Sequence, residues 1–167
     1  MKIRILITGG GSGGHIFPLV AIAKQLQQQA IKSNLDLMLR YYGPRDIYTS
    51  YITREDIEAK SIVISKLRRY FSLKNFIDLP KFVFSIFQSL FKIYWFMPSV
   101  AFSKGGPGAL PVLIACRFYN IPVIIHDSDA IPGLTNTVSG KWSRQIELGF
   151  ASAKSFDIEV WTPGSKE

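Results

Sequence analysis

The stretch that decides the fold runs from Ile3 to His15 and reads Ile-Arg-Ile-Leu-Ile-Thr-Gly-Gly-Gly-Ser-Gly-Gly-His. Its first half is a short run rich in β-branched residues, which is typical of a buried strand. The glycines that follow let the backbone turn tightly and approach a ligand closely. Apolar residues then recur at helical spacing from Phe17 to Ala30. A strand, a glycine loop and a helix in this order predict the first unit of a parallel α/β sheet.

The rest of the chain continues the alternation of strands and helices. Apolar runs predict strands over 35–42, 61–65, 99–103, 122–126 and 145–149. The spacing predicts helices over 46–53, 77–96, 109–119 and 135–143, the second of them starting near Pro80. Because the strands are short and show no apolar–polar alternation, both faces of the sheet should be buried. We therefore predict an α/β domain with a parallel sheet of about six or seven strands and helices on both faces.

Composition narrows the classes of function. The chain has 167 residues, of which 47% are hydrophobic and 19% charged, so it can bury a sizeable core. Its net charge of +8 favours anionic partners. Cys116 is the only cysteine, which excludes an internal disulfide and a cysteine metal cluster. The glycines cut the first apolar run too short for a signal peptide.

Ligands of such sheets bind at the carboxyl ends of the strands. Here those ends carry residues 9–15, 43–46, 104–108 and 126–136. The helix after the first glycine loop offers unpaired N–H groups to a phosphate or a sugar hydroxyl. His15 lies in its first turn, where the helix dipole favours the neutral imidazole that a general base requires.

Two other phosphate motifs fit the loop less well. Gly9, Gly11 and Gly14 spell the dinucleotide pattern G-x-G-x-x-G, but no acidic residue ends the second predicted strand. A nicotinamide site is therefore disfavoured. A P-loop would need Lys after the last glycine, where His15 stands instead.

Three motifs resemble the MurG family of peptidoglycan glycosyltransferases. The first is Gly9-Gly-Gly-Ser-Gly-Gly-His-Ile-Phe-Pro18, and the second is Lys104-Gly-Gly-Pro-Gly-Ala-Leu-Pro111. The third is Ile125-His-Asp-Ser-Asp-Ala-Ile-Pro-Gly-Leu-Thr-Asn136. All three occur in the family's order and at the predicted strand ends.

The resemblance implies the N-terminal half of a GT-B enzyme, which has two Rossmann-like domains. Residues 1–160 would form the acceptor-binding domain, and 161–167 would begin the linker to a donor domain that this chain lacks. The chain would then be a fragment, a truncated product or one subunit of a split enzyme. In the last case it could also be a non-catalytic subunit that binds the acceptor and anchors the enzyme to the membrane.

The resemblance also implies roles for individual residues. His15 matches a histidine thought to activate the acceptor hydroxyl, while Asp127 and Asp129 are alternative bases. Asp129 replaces an asparagine, so its contact with substrate differs, since a carboxylate cannot donate a hydrogen bond. The expected substrate-binding residues are Ser12, Gly13, Gly14, Gly105, Gly106, Asp129 and Asn136.

The implied reaction transfers N-acetylglucosamine from UDP-N-acetylglucosamine to lipid I with inversion, giving lipid II for the cell wall. Inversion needs a base on the acceptor hydroxyl and stabilisation of the departing diphosphate. We expect no cofactor, no metal and no nucleic-acid partner. A separate donor-binding domain or chain would supply the rest of the site.

Residues 66–97 combine cations with aromatic side chains. This pattern fits a helix lying in the headgroup plane of an anionic membrane, although a core helix would explain many of the same residues. We predict a peripheral position on the cytoplasmic face of the cell membrane. The predicted membrane contacts are Arg68, Arg69, Lys74, Phe76, Ile77, Lys81, Phe84 and Phe87.

Overall fold

The computed structural model describes residues 2–64, 75–106, 108–129 and 133–148, and within α3 it leaves out the side chains of residues 75–77. Six parallel strands form one sheet in this part of the chain. They are β1 (Lys2–Gly9), β2 (Asp36–Gly43), β3 (Glu58–Ser61), β4 (Val100–Gly105), β5 (Val123–Asp127) and β6 (Gln145–Leu148). Their order in the sheet is β3-β2-β1-β4-β5-β6.

Within the described ranges, five helices connect the strands. They are α1 (Gly13–Lys32), α2 (Thr49–Thr53), α3 (Asn75–Phe96), α4 (Ala109–Phe118) and α5 (Leu134–Gly140). The predicted α/β class, with a parallel sheet and helices on both faces, is confirmed. Most predicted boundaries lie within a few residues of those observed.

Successive side chains of the central strands enter two separate cores, as the period of two requires. Leu6 of β1 packs in one core with Ile93 of α3 and Leu113 of α4. Ile7 packs in the other core with Leu19 of α1 and Ile52 of α2. The sheet is therefore the middle layer of three, which explains why its strands are apolar on both faces.

Two predicted elements are displaced. The third strand was expected over 61–65, but β3 occupies Glu58–Ser61 at the edge of the sheet and carries exposed charge on Glu58 and Lys60. The apolar residues that flank it, Ile57 and Ile62, are both buried. Sequence reasoning therefore placed the strand on the apolar run rather than on the charged edge segment.

The long helix also starts earlier than predicted. α3 begins at Asn75, so Pro80 lies in its second turn instead of at its start. Proline inside a helix removes one backbone hydrogen bond but does not end this one.

The strand order reverses at β1, which has β2 on one side and β4 on the other. In doubly wound sheets such a reversal opens a crevice at the carboxyl ends of the central strands. Two glycine loops border it, one after β1 and one after β4. The fold therefore brings the first two sequence motifs together.

Candidate active site

The two glycine loops touch each other directly. Gly10, Gly11, Gly105, Gly106 and Gly108 all have positive φ angles between 80° and 155°. A Cβ atom on Gly106 would lie 2.3 Å from the carbonyl oxygen of Gly10 and 3.2 Å from the His15 ring. Only glycine allows this approach, because an L side chain would meet backbone there. The backbones of the first and second glycine loops are thus packed directly against each other.

His15 lies where these loops meet. Its Nδ1 is 2.7 Å from Ser12 Oγ, which fixes the orientation of the ring. Burial, and next the positive charge of Lys104, lower the pKa of His15, while Asp129 and Asp127 oppose that lowering. The imidazole is therefore neutral at pH 7. Within the described residues its Nε2 makes no hydrogen bond.

Ser12 is the N-cap of α1, yet its side chain makes no capping hydrogen bond. Its hydroxyl is used by His15 instead. The first turn of this 20-residue helix therefore has no side-chain cap, which is compatible with anion binding at its N–H groups. Gly14 is not crowded, since a Cβ there would make only an ordinary van der Waals contact with Ser12 Oγ at 3.8 Å.

Gly13 differs from the other loop glycines. Its φ lies outside the left-handed region, and a Cβ there would meet the edge of the exposed Phe17 ring at 2.9 Å. The glycine at this position is therefore required less by backbone conformation than the glycines at positions 106 and 10.

Asp127 is buried, with only 1% of its surface exposed. Its Oδ1 accepts a hydrogen bond from the Asp129 N–H at 3.0 Å, and its Oδ2 accepts one from Asn136 Nδ2 at 3.0 Å. Both carboxylate oxygens are thus engaged in holding the third motif together. This geometry favours a positioning role for Asp127 over the alternative role of base.

Asn136 is buried behind the second glycine loop. A Cβ on Gly105 would lie 2.4 Å from its Oδ1. Next to it, Thr135 Oγ1 donates to the carbonyl oxygen of Gly106 at 3.2 Å. The start of α5 therefore supports the loop that carries Gly105 and Gly106, whereas Asp129 is exposed at the rim.

Sequence reasoning overlooked that Asp127 and Asp129 form an Asp-x-Asp pair, a spacing that can hold a divalent cation. In the structure the Asp127 carboxylate is buried, and each of its oxygens accepts one hydrogen bond. Among the described residues no three His, Cys, Asp or Glu side chains are grouped to hold a metal ion. The absence of a metal requirement stays a prediction.

Several other residues of the site were not predicted. Tyr41 OH donates to the carbonyl oxygen of Gly9 at 2.6 Å, and Asp46 Oδ2 accepts from the Gly11 N–H at 3.2 Å. Both hold the first glycine loop from the side of β2. Asp46 follows the Gly43-Pro44 turn, so its place at the strand edge was a usable signal. Lys104 is the first residue of the second motif, but the sequence predicted no role for it.

The predicted membrane residues are only partly described. Lys81, Phe84 and Phe87 lie on the exposed side of α3, and the two phenylalanines are 59% and 66% exposed. Arg68, Arg69 and Lys74, like the predicted linker 161–167, lie outside the described residues, as do the side chains of Phe76 and Ile77. No helix in the described ranges has the length and apolar character needed to span a bilayer.

Comparison with known proteins connects this site to a family. Residues 5–147 match the glycosyltransferase family 28 N-terminal domain. A protein of Borrelia turicatae, named UDP-N-acetylglucosamine–N-acetylmuramyl-(pentapeptide) pyrophosphoryl-undecaprenol N-acetylglucosamine transferase, is 35% identical over 157 residues. The protein of that name from Legionella pneumophila strain Corby is 38% identical over 157 residues. Each alignment covers 93% of this chain and 42% of the relative, so the chain spans less than half the length of these curated relatives.

A solved structure agrees on the fold. The crystal structure of Acinetobacter baumannii MurG superposes with a TM-score of 0.75 at 24% identity, covering 99% of this chain and 47% of that one. The resemblance to the MurG family seen in the three motifs is thereby confirmed, as is the assignment to the N-terminal half of a GT-B fold. The chain belongs to glycosyltransferase family 28 and carries that family's N-terminal domain.

Proposed function

We propose that this chain is the acceptor-binding half of an inverting N-acetylglucosaminyltransferase. The reaction would move N-acetylglucosamine from UDP-N-acetylglucosamine to lipid I in peptidoglycan synthesis. The names of the relatives support this substrate pair, and the family match covers most of the chain. A donor-binding domain, on the same polypeptide or a separate one, would complete the site.

The observation that carries the proposal is the setting of His15 at the junction of the two glycine loops. For Nε2 to accept a proton, Nδ1 must hold the ring hydrogen and donate it to Ser12 Oγ. The 2.7 Å contact with Ser12 suits that tautomer. The lowered pKa keeps Nε2 unprotonated at pH 7, so it can accept the proton of the attacking hydroxyl.

The other site residues have supporting roles in this proposal. Ser12, Gly13 and Gly14 present the start of α1 to the donor across the crevice. Gly105 and Gly106 shape the acceptor side, and Asp129 contacts substrate at the rim. Asn136 acts through Gly105, because its side chain lies behind that loop.

The test replaces His15 by Gln in a transferase that contains this domain together with a donor-binding domain. We expect kcat to fall by roughly 10²- to 10⁴-fold, as is usual when a general base is lost, with little change in the KM for UDP-N-acetylglucosamine. The control is His126→Gln, the only other histidine, which we expect to change kcat by less than about tenfold.

Unchanged turnover in His15→Gln would refute the base assignment. If the wild-type chain supports no transfer with any donor domain but still binds lipid I, the alternative of a non-catalytic acceptor-binding subunit is correct.

We also propose that the outer side of α3 is the membrane contact. Phe84, Phe87 and Phe91 are 59%, 66% and 66% exposed, and Trp95 beyond them is 69% exposed. Exposed aromatic side chains in such number mark an interaction surface. Lys81 is exposed on the same helix, and the sequence adds the cations of residues 66–74 just before it. Aromatic residues beside lysine and arginine suit an anionic lipid surface.

Vesicle binding tests this placement. Wild-type chain should cosediment with phosphatidylglycerol vesicles and be released by salt, since each nearby cation contributes on the order of 1 kcal/mol. Serine at Phe84, Phe87 and Phe91 should abolish binding, and so should Glu at Arg68, Arg69 and Lys74. The control is serine at Ile31 and Ile47, which are 80% and 79% exposed elsewhere. Equal binding to neutral and anionic vesicles, or no binding at low salt, would contradict the membrane proposal. The surface would then be a contact site for a protein partner.

A further inference from the structure

A cavity lies at the carboxyl ends of β2 and β3, to one side of the two glycine loops. Its volume is about 420 Å³, within the range of roughly 300–1,000 Å³ that is usual for pockets that bind small ligands. The residues that line it include Tyr41, Arg45, Asp46, Ser50, Thr53 and Lys60. None of the residues that the sequence predicted for substrate binding or catalysis is among those that line it.

The lining of this cavity is joined to the first glycine loop by two hydrogen bonds. The fully buried Tyr41 donates its hydroxyl hydrogen to the Gly9 carbonyl oxygen at 2.6 Å. Asp46 Oδ2 accepts from the Gly11 N–H at 3.2 Å. Neighbouring strands are about 4.8 Å apart, and β3 is two strands from β1, so the cavity lies roughly 10 Å from the loop that carries His15. A ligand bound beside His15 can therefore extend into it.

One cation of the cavity is available to a ligand. Arg45 is exposed, and within the described ranges no acidic side chain lies within 4 Å of its guanidinium group. Lys60 is already paired with Glu58 at 2.6 Å. Asp46 accepts hydrogen bonds on both carboxylate oxygens from backbone N–H groups of its own chain. Because the planar guanidinium matches the geometry of a carboxylate, Arg45 favours a ligand with that group.

The remainder of the lining suits a peptide backbone. The Ser50 and Thr53 hydroxyls donate to carbonyl oxygens of α2 and the preceding turn, so their oxygens can still accept from N–H groups of a ligand. In the described sheet β3 has a strand on one side only, which leaves some of its backbone groups without a strand partner. Hydroxyl acceptors and a free strand edge are features by which proteins hold extended peptides. The cavity therefore fits a peptide that ends in a free carboxylate.

The acceptor in the proposed function contains such a peptide. The names of the relatives place a pentapeptide on the muramyl group of their substrate. A muramyl group holds its peptide through the peptide's N-terminus, so the C-terminal carboxylate is free. A fully extended pentapeptide spans at most roughly 17 Å. This length is sufficient to reach the cavity from a sugar beside His15.

The two faces of the sheet also separate the two ends of such an acceptor. α2 packs with α1 in one core, whereas α3, the proposed membrane contact, packs in the core on the opposite face. An acceptor whose lipid lies on the side of α3 can extend its peptide toward α2 without crossing the lipid surface. The position of the cavity is thus compatible with both contacts at once.

We propose that this cavity binds the peptide of the acceptor, with the C-terminal carboxylate of the peptide paired with Arg45. The identity of the peptide rests on the proposed function. The cavity would make the enzyme select acceptors that carry the complete peptide over acceptors in which it is shortened or blocked at its end.

The experiment titrates the 167-residue chain with N-acetylmuramyl pentapeptide, which has neither lipid nor diphosphate. Its matched control is the same compound with a C-terminal amide in place of the carboxylate. We expect saturable shifts of the Arg45, Ser50 and Thr53 backbone signals in ¹H–¹⁵N NMR spectra. The amide should bind roughly three- to tenfold more weakly, since an ion pair with an exposed arginine is partly screened by solvent.

Three variants locate the binding. Arg45→Gln should bind the pentapeptide no more tightly than its amide. The control Arg54→Gln removes an exposed arginine that lies over the Tyr51 ring and does not line the cavity, so it should keep the wild-type preference for the carboxylate. Ser50→Trp fills the cavity without removing a charge and should weaken binding of both ligands by roughly tenfold or more.

Absence of saturable shifts in the wild type would overturn the proposal, and so would a preference for the carboxylate that survives in Arg45→Gln. Should Arg45→Gln fail to fold, Ser50→Trp decides, and wild-type affinity for the pentapeptide in that variant overturns the proposal.

Kinetics separate this proposal from the proposed function. In a transferase that also contains a donor-binding domain, Arg45→Gln should raise the KM for lipid I by roughly three- to tenfold and leave kcat and the KM for UDP-N-acetylglucosamine within about twofold. An active transferase in which Arg45→Gln has the wild-type KM for lipid I refutes the peptide site alone. A chain that binds the pentapeptide through Arg45 but supports no transfer refutes the proposed function alone.

Discussion

The carboxyl edge of the sheet and the outer side of α3 are built in opposite ways. At the edge, glycines with positive φ bring two loops into backbone contact, and polar residues at the strand ends, such as Asp127 and Lys104, are buried. On α3 the small polar residues Ser85 and Ser89 are fully buried, while Phe87 and Phe91 are each 66% exposed.

Hydrogen bonds within α3 explain why its serines are buried while its aromatic residues are exposed. Ser85 Oγ donates to the carbonyl oxygen of Phe82, and Ser89 Oγ donates to that of Ser85, both at 2.7 Å. The serine hydroxyls thus make their hydrogen bonds within the helix, and their small side chains face the core. The aromatic residues are then free for a partner outside the domain. Backbone geometry determines the shape of the carboxyl edge of the sheet. The outer surface of α3 is instead determined by the side chains that do not pack into the core.

Gly106→Ala should have the largest effect on stability. A Cβ there would lie 2.3 Å from the Gly10 carbonyl oxygen, at a φ of 89°. The left-handed conformation costs an L residue roughly 1–2 kcal/mol, and forcing the loops apart adds roughly 1–3 kcal/mol. Urea unfolding should therefore show a loss of about 2–5 kcal/mol.

Gly14→Ala is the matched control for this substitution. It lies in the first turn of α1 with no atom closer than 3.8 Å to its Cβ position. It should leave stability unchanged or raise it by up to about 1 kcal/mol, since alanine favours helix more than glycine. A stable Gly106→Ala variant would show that the two loops can separate freely.

The contrast within α3 predicts that one methyl group inside the core contributes more to stability than a whole ring outside it. Ile93 is fully buried, so Ile93→Val should lower the free energy of unfolding by about 1 kcal/mol. Phe87→Ala should change it by less than about 0.5 kcal/mol, because the ring is mostly exposed. Urea denaturation of the two variants makes this comparison directly.

If Phe87→Ala proves as destabilising as a core truncation, the aromatic side of α3 is part of a folded interior and the membrane proposal loses its basis. Phe87→Ala should instead weaken vesicle binding while unfolding like the wild type.

The sequence predicted the edge of the sheet better than the helix surface. The strand, glycine loop and helix at residues 3–30 follow from local rules about glycine and apolar periodicity, and they place His15 correctly. The partners of the glycine loop, such as Asp46 and Tyr41, come from β2 and its following turn. Their contacts depend on strand order, which periodicity does not contain.

The same limit applies to Lys104 and to α3. Nothing in the local sequence shows that Lys104 is buried beside Ser128, because 24 residues separate them. On α3, aromatic residues occupy much of the circumference, so hydrophobicity alone does not identify the buried side. The small serines that face the core were the usable signal, since only a small residue allows close packing at such a position.

The smallest predicted effect is a dependence of stability on pH. It comes from the two histidines at the carboxyl edge of the sheet and not from α3. Burial, followed by the charge of Lys104, lowers the pKa of both His15 and His126 in the folded state. The unfolded chain, with histidine pKa values near 6.5, therefore binds more protons than the folded chain below that pH. Stability should be fully present above about pH 7 and should fall as the pH drops below about 6.5.

Urea midpoints at pH 7.5, 6.5 and 5.5 would measure this fall before the carboxyl groups titrate. The double variant His15→Gln, His126→Gln should flatten it, and Lys104→Met should make it shallower because one cause of both lowered pKa values is removed. Phe87→Ala, on the outer side of α3, should keep the wild-type slope. The same slope in the double histidine variant would mean that the histidines are as hydrated in the folded domain as in the unfolded chain. That result would contradict the enclosed setting on which the base role of His15 depends.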